Sequence, residues 1–480
     1  MHESRTDRPP RGLVLACVAA SLPMFMAALD NLVMTFALPV IKQELGASVE
    51  QLQWFVNAYS IAFATLMLPL AALGDRLGRR MVFFAGVTVF TAASALAATA
   101  STAEILIVAR AVQGVGAAAI VPLSLTIVSA AATPKVRPIA IGVWGGVNGL
   151  GIAVGPIIGG AVVEGFAWPG IFWLNVPIGL LTLALIPLAV PASWGRRLPF
   201  DTLGSLLAVV FVLPLIWAIV EGEDRGWSSA AIVGAFAVAA AALGAFVWHE
   251  HRSPAAFLPL SFFRERPFTL ANIAGLLFSA GVFGAIFLLS QYLQVGMGYG
   301  ALEAGLRAAP WTFAPMVAAP LSGFIVRRTG PGPVIVTGLA LQTAAITWIV
   351  LVSDTGTTYG QVVAPMLLAG IGMGLTLAPL ATAVLIGRTE VEHGIAASVN
   401  STVRQLGVAI GIALVTAVFL RNGDYLPGRP FVDGMKPALI ACAAITGAAT
   451  VAALGLGHRI PSTNAPTRTP VAASATSLEN

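Results

Sequence analysis

The run AALDNLVMTFALP, residues 27–39, carries a single acid, Asp30, and the run LIVARAVQGVGAA, residues 106–118, carries a single base, Arg110. A carboxyl beside a guanidinium in apolar surroundings can do one of two things. It can bridge two segments as a fixed ion pair, or it can take up and release a proton while the base holds the ionised form in place. If both runs cross a membrane, each charge costs roughly 2.5–3.5 kcal/mol on insertion scales, so the pair reads as functional by default. Asp30 is the only acid placed deep in an apolar run, which favours proton work over a static bridge.

The composition requires such a membrane. Hydrophobic residues make up 57% of the 480, charged residues 10%, and the mean hydropathy is +0.88. The charges fall in short strings between apolar blocks of about 20 residues, the length that crosses a bilayer as a helix. Spans are expected at 13–39, 52–73, 82–100, 103–127, 138–162, 170–190, 201–220, 229–248, 269–293, 302–326, 333–352, 360–386, 394–420 and 436–457. The fold class is thus an all-α polytopic membrane protein with fourteen spans. At a rise of ~1.5 Å per residue, Asp30 and Arg110 then share one layer about 10–14 Å below the same face.

Orientation follows from arginine and lysine: of the 26 basic residues, 18 fall in segments on the side of the N-terminus, 5 on the other side and 3 within spans. Both termini are therefore expected in the cytoplasm. Arg5, Arg8 and Arg11 precede an apolar run, but it is too long for a secretory signal and holds an acid. The net charge of +5 is scattered over many loops and forms no basic stripe, so no nucleic-acid partner is expected. Cys17 and Cys442 lie far apart in apolar segments without metal-ligand spacing, so neither a disulfide nor a metal is expected. Arginine-for-lysine and alanine bias fits a GC-rich bacterium, with the inner (plasma) membrane as location.

The chain repeats itself. LGIAVG at 150–155 returns as LGVAIG at 406–411, and Gly114-Val115-Gly116 returns as Gly370-Ile371-Gly372, in the same order. The expected organisation is a tail at 1–12, a six-helix bundle at 13–195, two inserted helices at 196–250, a cytoplasmic linker at 251–268, a second six-helix bundle at 269–458 and a disordered tail at 459–480. Spans 5 and 13 run the same way, so the repeat is parallel, with its axis along the membrane normal.

Other motifs admit a bland reading beside a sharper one. LGDRLGRR after span 2 contains Gly74, Asp75, Arg76, Gly78, Arg79 and Arg80. The arginines alone would anchor a cytoplasmic loop, whereas Asp75 could face the positive N-terminus of span 13 near His393 and latch the halves. In span 5, Gly151, Gly155 and Gly159 recur every fourth residue beside Pro156 and Gly160, a bare stripe for close helix approach. Arg404 lies too deep in span 13 to snorkel, with no assigned partner, and Glu303 suits the start of the span that also holds Arg307. A cavity between the halves could be lined by Asn57, Tyr59, Trp144, Asn148, Gln291, Gln294, Trp311 and Arg404, each of which could equally be ordinary packing.

GDRLGRR, RAVQGVGAA at 110–118 and GIAVGPIIGG at 151–160 resemble the signature motifs of the major facilitator superfamily. With LDNLVMTFALP, WPGIFWLNVPIG at 168–179 and fourteen spans, the chain resembles the fourteen-helix drug:proton antiporters along essentially its whole length. It departs at Ala71, where the loop motif begins with glycine, and at Arg327, which aligns with Asp75 in the second half. The resemblance implies the major facilitator fold, with proton-driven efflux of small amphiphilic drugs or antibiotics by a monomer in the lipid bilayer. It also implies proton coupling at Asp30 and Arg110, a cytoplasmic gate in the 74–80 motif, and an antiporter motif at Gly151, Gly155, Pro156, Gly159 and Gly160. Some relatives that take divalent cations have a further acid within span 10, and its absence points to neutral or monocationic cargo. No cofactor is implied, and no GxxxxGK[ST] loop supports ATP drive. Export of one endogenous metabolite and a transport-inactive membrane sensor are the alternatives.

Overall fold

The computed structural model describes residues 11–133, 136–194, 201–253, 258, 260–388 and 390–457. Both expected tails, apart from residues 11 and 12, and part of the expected 251–268 linker lie outside them. The described chain is a series of helices: α1 (Arg11–Leu45), α2 (Val49–Leu77), α3 (Arg79–Ala98), α4 (Ala103–Ala131), α5 (Arg137–Phe166), α6 (Gly170–Trp173), α7 (Asn175–Ala189), α8 (Thr202–Arg225), α9 (Ala230–Arg252), α10 (Arg266–Gln291), α11 (Ala301–Thr329), α12 (Pro331–Val352), α13 (Tyr359–Ala383), α14 (Glu390–Asn422) and α15 (Arg429–Leu454). Thirteen stretches are long and apolar enough to span a membrane, with α6 and α7 forming one of them, and α2 makes the fourteenth. The α2 helix bends by 49° between Val49–Met67 and Pro69–Leu77, where Pro69 removes a backbone donor and crowds the preceding turn.

Short polar signals place the ends. Ser48 and Gln51 form a reciprocal cap on α2, the Thr102 hydroxyl accepts from the Ile105 N–H, and the Asp201 carboxylate accepts from the Gly204 N–H at 2.7 Å to start α8. Two boundaries differ from the sequence reading. The α1 helix continues past residue 39 to Leu45, because Pro39 lies inside it without ending it. The expected loop at 74–80 shrinks to one residue, Gly78, at φ +113°, a backbone conformation that side chains disfavour.

The internal repeat recurs in the packing. An added Cβ on Gly114 would press on Tyr59 and Ala62 of α2, and one on Gly370 on Trp311 and Ala314 of α11. Gly116 meets Gly86 and Phe90 of α3, and Gly372 meets Gly338 and Gln342 of α12. Gly151 meets Phe25 and Ala28 of α1, and Gly407 meets Leu276 and Ser279 of α10. The same register thus relates α1–α5 to α10–α14, and each glycine lets two backbones approach where any side chain would hold them apart.

The halves meet where α5 packs against α11 and α2 against α14, one contact being the symmetry mate of the other. The inserted helices are not equally marginal: Val212, Ile216 and Val220 of α8 cluster with Ile61 of α2 and Ala409 and Ala413 of α14, over the seam between the halves, while α9 packs chiefly on α8. Leu188, Leu351 and Val451 are 79%, 78% and 68% exposed, as an apolar rim facing lipid requires.

Candidate functional site

Asp30 and Arg110 meet. Both side chains are buried, Asp30 3% and Arg110 1% exposed, and Arg110 Nη1 donates to Asp30 Oδ2 in a short ion pair. Five further residues complete the site. Gln113, one turn after Arg110, donates from Nε2 to Asp30 Oδ1 at 3.3 Å and to Ser94 Oγ at 2.8 Å, and accepts from Arg110 Nη1 at 2.9 Å. Asn175, the first residue of α7, donates its Nδ2 to Asp30 Oδ1 at 2.8 Å. The break after α6 delivers it there, because α7 starts afresh with its first side chain turned to α1. Arg110 Nε donates to the Phe55 carbonyl at 2.9 Å, and its guanidinium lies 4.5 Å from the Tyr59 ring centroid.

Among the described residues, every hydrogen bond on Asp30 is one that its carboxylate accepts, with the donors on α4 and α7. The second half has no counterpart. The register that pairs Phe25 with Leu276 pairs Asp30 with Gly281, and the one that pairs Gly114 with Gly370 pairs Arg110 with Met366 and Gln113 with Ala369. The charge site is an asymmetric addition to a symmetric scaffold.

Asp30 also lies at a particular height. The bonds between α5 and α11 run from Leu302 N to Glu164 Oε2, 3.1 Å, down to Thr312 Oγ1 and the Ala153 carbonyl, 3.2 Å. Gly151 and Gly155, which bracket Ala153, lie against α1 at Ala28, Leu29 and Leu32. The other joints are at the end distal to the termini: Ser290 Oγ donates to the Thr35 carbonyl at 3.3 Å, Gln294 Nε2 to the Phe36 carbonyl at 2.9 Å, and Lys42 Nζ lies 3.9 Å from the Tyr425 ring centroid. Toward the termini, the described ion pairs stay within their own halves. Asp75 bonds Arg79 at 2.7 Å, and Arg388 bonds Glu265 at 3.2 Å. Among the described residues, the hydrogen bonds between the halves lie from Ala153 to the distal end, with Asp30 at the level where they stop.

This arrangement, two six-helix halves around a seam with one buried charge site, accounts for the profile of the Major Facilitator Superfamily matching residues 20–412. The chain belongs to the major facilitator superfamily. Among its relatives, it is similar to the multidrug efflux pump LfrA of Mycolicibacterium smegmatis, 34% identical over 93% of this chain and 89% of that protein. It is also similar to the tetracenomycin C resistance and export protein of Streptomyces glaucescens, 31% identical over 90% and 82%. The methylenomycin A resistance protein of Streptomyces coelicolor is 33% identical, covering 87% of each chain. A solved peptide transporter structure in complex with sulfate superposes with a TM-score of 0.67 over 95% of each chain, and at 16% identity the likeness concerns the fold alone. The chain is thus a multi-pass membrane transporter whose relatives are drug and antibiotic exporters, in keeping with the fourteen-helix resemblance.

The remaining residues expected at functional positions separate by location. Gly151, Gly155 and Gly159 lie on α1, with an added Cβ 2.9 Å from Phe25 O, 2.9 Å from Leu32 Cβ and 3.0 Å from Val33 Cα respectively. Gly160 instead meets the Ala301 and Leu302 backbone, and the Pro156 carbonyl faces Gly305 of α11. One helix therefore touches the charge-bearing α1 and the opposite half at once. Asp75 pairs with Arg79, and the α14 start that it was expected to face has side chains outside the described set. Tyr59 belongs to the charge site and Gln294 to the distal closure, as does Gln291, whose Oε1 accepts from Tyr425. Trp144 donates to Ser124 Oγ at 2.9 Å. Asn57 and Trp311 are buried with side-chain polar atoms unpartnered among the described residues, while Asn148 and Arg404 are half-buried. Gln113, Ser94 and Asn175 are not among the residues expected from the sequence, and the available signal was an uncharged polar residue in each apolar run.

Proposed function

We propose that the protein is a proton-coupled antiporter of a bacterial inner membrane, exporting amphiphilic drugs or antibiotics by alternating access, with both termini in the cytoplasm. The observation that carries this reading is the buried Asp30 held by donors from Arg110, Gln113 and Asn175 in one half only, at the level where the described hydrogen bonds between the halves stop.

The helix connections provide a mechanism. A proton arriving at Asp30 removes the charge that Arg110 and Asn175 hold, which frees α1 from α4 and α7. Thr35 and Phe36, five and six residues along the same helix, carry the carbonyls that join α1 to Ser290 at the end of α10 and to Gln294 just beyond it. Loosening α1 therefore acts directly on the distal closure. The α5 helix slides on the same surface through Gly151, Gly155 and Gly159 and carries the change to α11 through Gly160. Cargo enters from the side of the termini in the conformation described, and proton entry from the distal side accompanies its release there.

The test is addition of chemically diverse amphiphiles to the purified protein in vesicles while proton release is followed. Release by many unrelated compounds supports a multidrug antiporter, release by one compound class points to a dedicated metabolite exporter, and no release supports a transport-inactive sensor.

A further inference from the structure

The two deep arginines of this transporter are in opposite states. Arg110 has its donors engaged by Asp30, Gln113 and the Phe55 carbonyl. Arg404 has none engaged among the described residues: its Nε is buried without an acceptor, and it forms no ion pair there. It stands 14 residues above Glu390 and 18 below Asn422 on α14. At a rise of ~1.5 Å per residue it is about 21 Å from the nearer helix end, beyond the reach of a snorkelling side chain. A guanidinium carries five donors and no acceptor, and leaving it unpaired in an apolar bundle is costly.

Its surroundings are polar and only partly satisfied. Gly275 of α10 is bare beside it: an added Cβ there would lie 3.3 Å from both Arg404 Cγ and Asn400 Nδ2. Asn400 Nδ2 donates to Asn272 Oδ1 at 3.3 Å, and the Thr402 Oγ1 and Gln405 Oε1 atoms have no partner among the described residues. Residues 401–406 are all half-buried in the middle of a packed helix. Just distal to them, Gly407 and Gly411 close against α10. The internal repeat gives the same answer, since Asn400 and Arg404 correspond to Trp144 and Asn148 on α5, immediately on the termini side of the lowest α5–α11 bond at Ala153.

We propose that Arg404 is the anion-recognising residue of the cargo cavity, taking the carboxylate of an acidic amphiphile with the Asn272–Asn400 pair beside it. The inference rests on the efflux reading above and deepens it, and it departs from the expectation of neutral or monocationic cargo. That expectation looked only for acids that would attract cations. A half-buried guanidinium with free donors does the opposite: it repels a cation and offers a carboxylate two parallel N–H bonds. The Asp30 carboxylate is taken up by Arg110, and among the described residues no carboxylate pairs with Arg404.

The test uses the full chain in phosphatidylcholine nanodiscs, where no lipid anion competes. Two dyes serve as probes: rhodamine B, which carries a free carboxylate, and its ethyl ester, in which that group is blocked. Binding is read by fluorescence anisotropy. Both dyes carry the same cationic ring system, so Arg404→Gln is expected to weaken the free acid by about ten-fold or more and to leave the cationic ester bound as tightly as before or more tightly, with Arg404→Lys between the two variants for the acid. The ester reports that the variant is folded. Equal weakening of both dyes would assign Arg404 to packing and overturn the proposal, as would no change in either. Wild-type protein that binds neither dye would remove the drug cavity and the subsite together. Retained proton coupling in Asp30→Asn beside a selective loss of the acid in Arg404→Gln would defeat the coupling assignment and leave the anion subsite standing.

Discussion

Asn175 donates its side-chain amide to Oδ1 of Asp30 at 2.8 Å, across 145 residues of chain, while Arg110 holds the other oxygen. The carboxylate is thereby fixed from α7 and α4 at once, and α1 cannot move without breaking both holds. Removing the amide leaves the ion pair in place with one donor fewer. Asn175→Ala is expected to lower substrate-driven proton movement about ten-fold, the effect of losing one hydrogen bond to a charged group, with membrane abundance within about two-fold of wild type. The ratio of transport to immunodetected protein checks this.

The glycine stripe of α5 predicts a separation between folding and transport. At Gly155 an added Cβ would come 2.9 Å from Leu32 Cβ, a side chain that can yield, whereas at Gly160 it would strike the Ala301 and Leu302 backbone, which cannot. Gly155→Leu should reduce transport more than abundance, because α1 and α5 can settle apart but not slide. Gly160→Val should part α5 from α11 at the distal end and raise labelling of a cysteine placed at Ala153 by a thiol reagent added from that side. Transport and abundance falling together in Gly155→Leu would reduce the stripe to packing.

The distal closure predicts a cross-link. Ser290 Oγ lies 3.3 Å from the Thr35 carbonyl, so the two residues face each other across the halves. Cysteines at Thr35 and Ser290, in a background with Cys17 and Cys442 replaced, should join under mild oxidation and stop transport until reduced. An imposed proton gradient that drives turnover should slow the joining, since the distal end then spends time open.

The legible part of this protein was whatever lipid makes expensive. Asp30 and Arg110 stood out because a charge in an apolar run needs a reason, and the repeated glycines stood out because they leave a mark in the letters. Gln113, Ser94 and Asn175 did not, since a single neutral polar residue in a span is common and its partner lies on another helix. The distal closure was invisible for a different reason: its acceptors at Thr35, Phe36 and Ala153 are backbone carbonyls, which every residue has. The place of α8 over the seam also escaped notice, because Val212, Ile216 and Val220 read the same whether they face lipid or protein.

The central claim is that Asp30 carries the coupled proton, and one substitution tests it with little change of shape. Asp30→Asn keeps the size of the side chain, cannot release a proton, and removes the charge that Arg110 holds. In vesicles containing the purified variant, substrate addition should move no more protons than in empty vesicles, while exchange of labelled for unlabelled substrate continues and shows an intact cavity. Substrate-driven proton movement like that of the wild type would contradict the account.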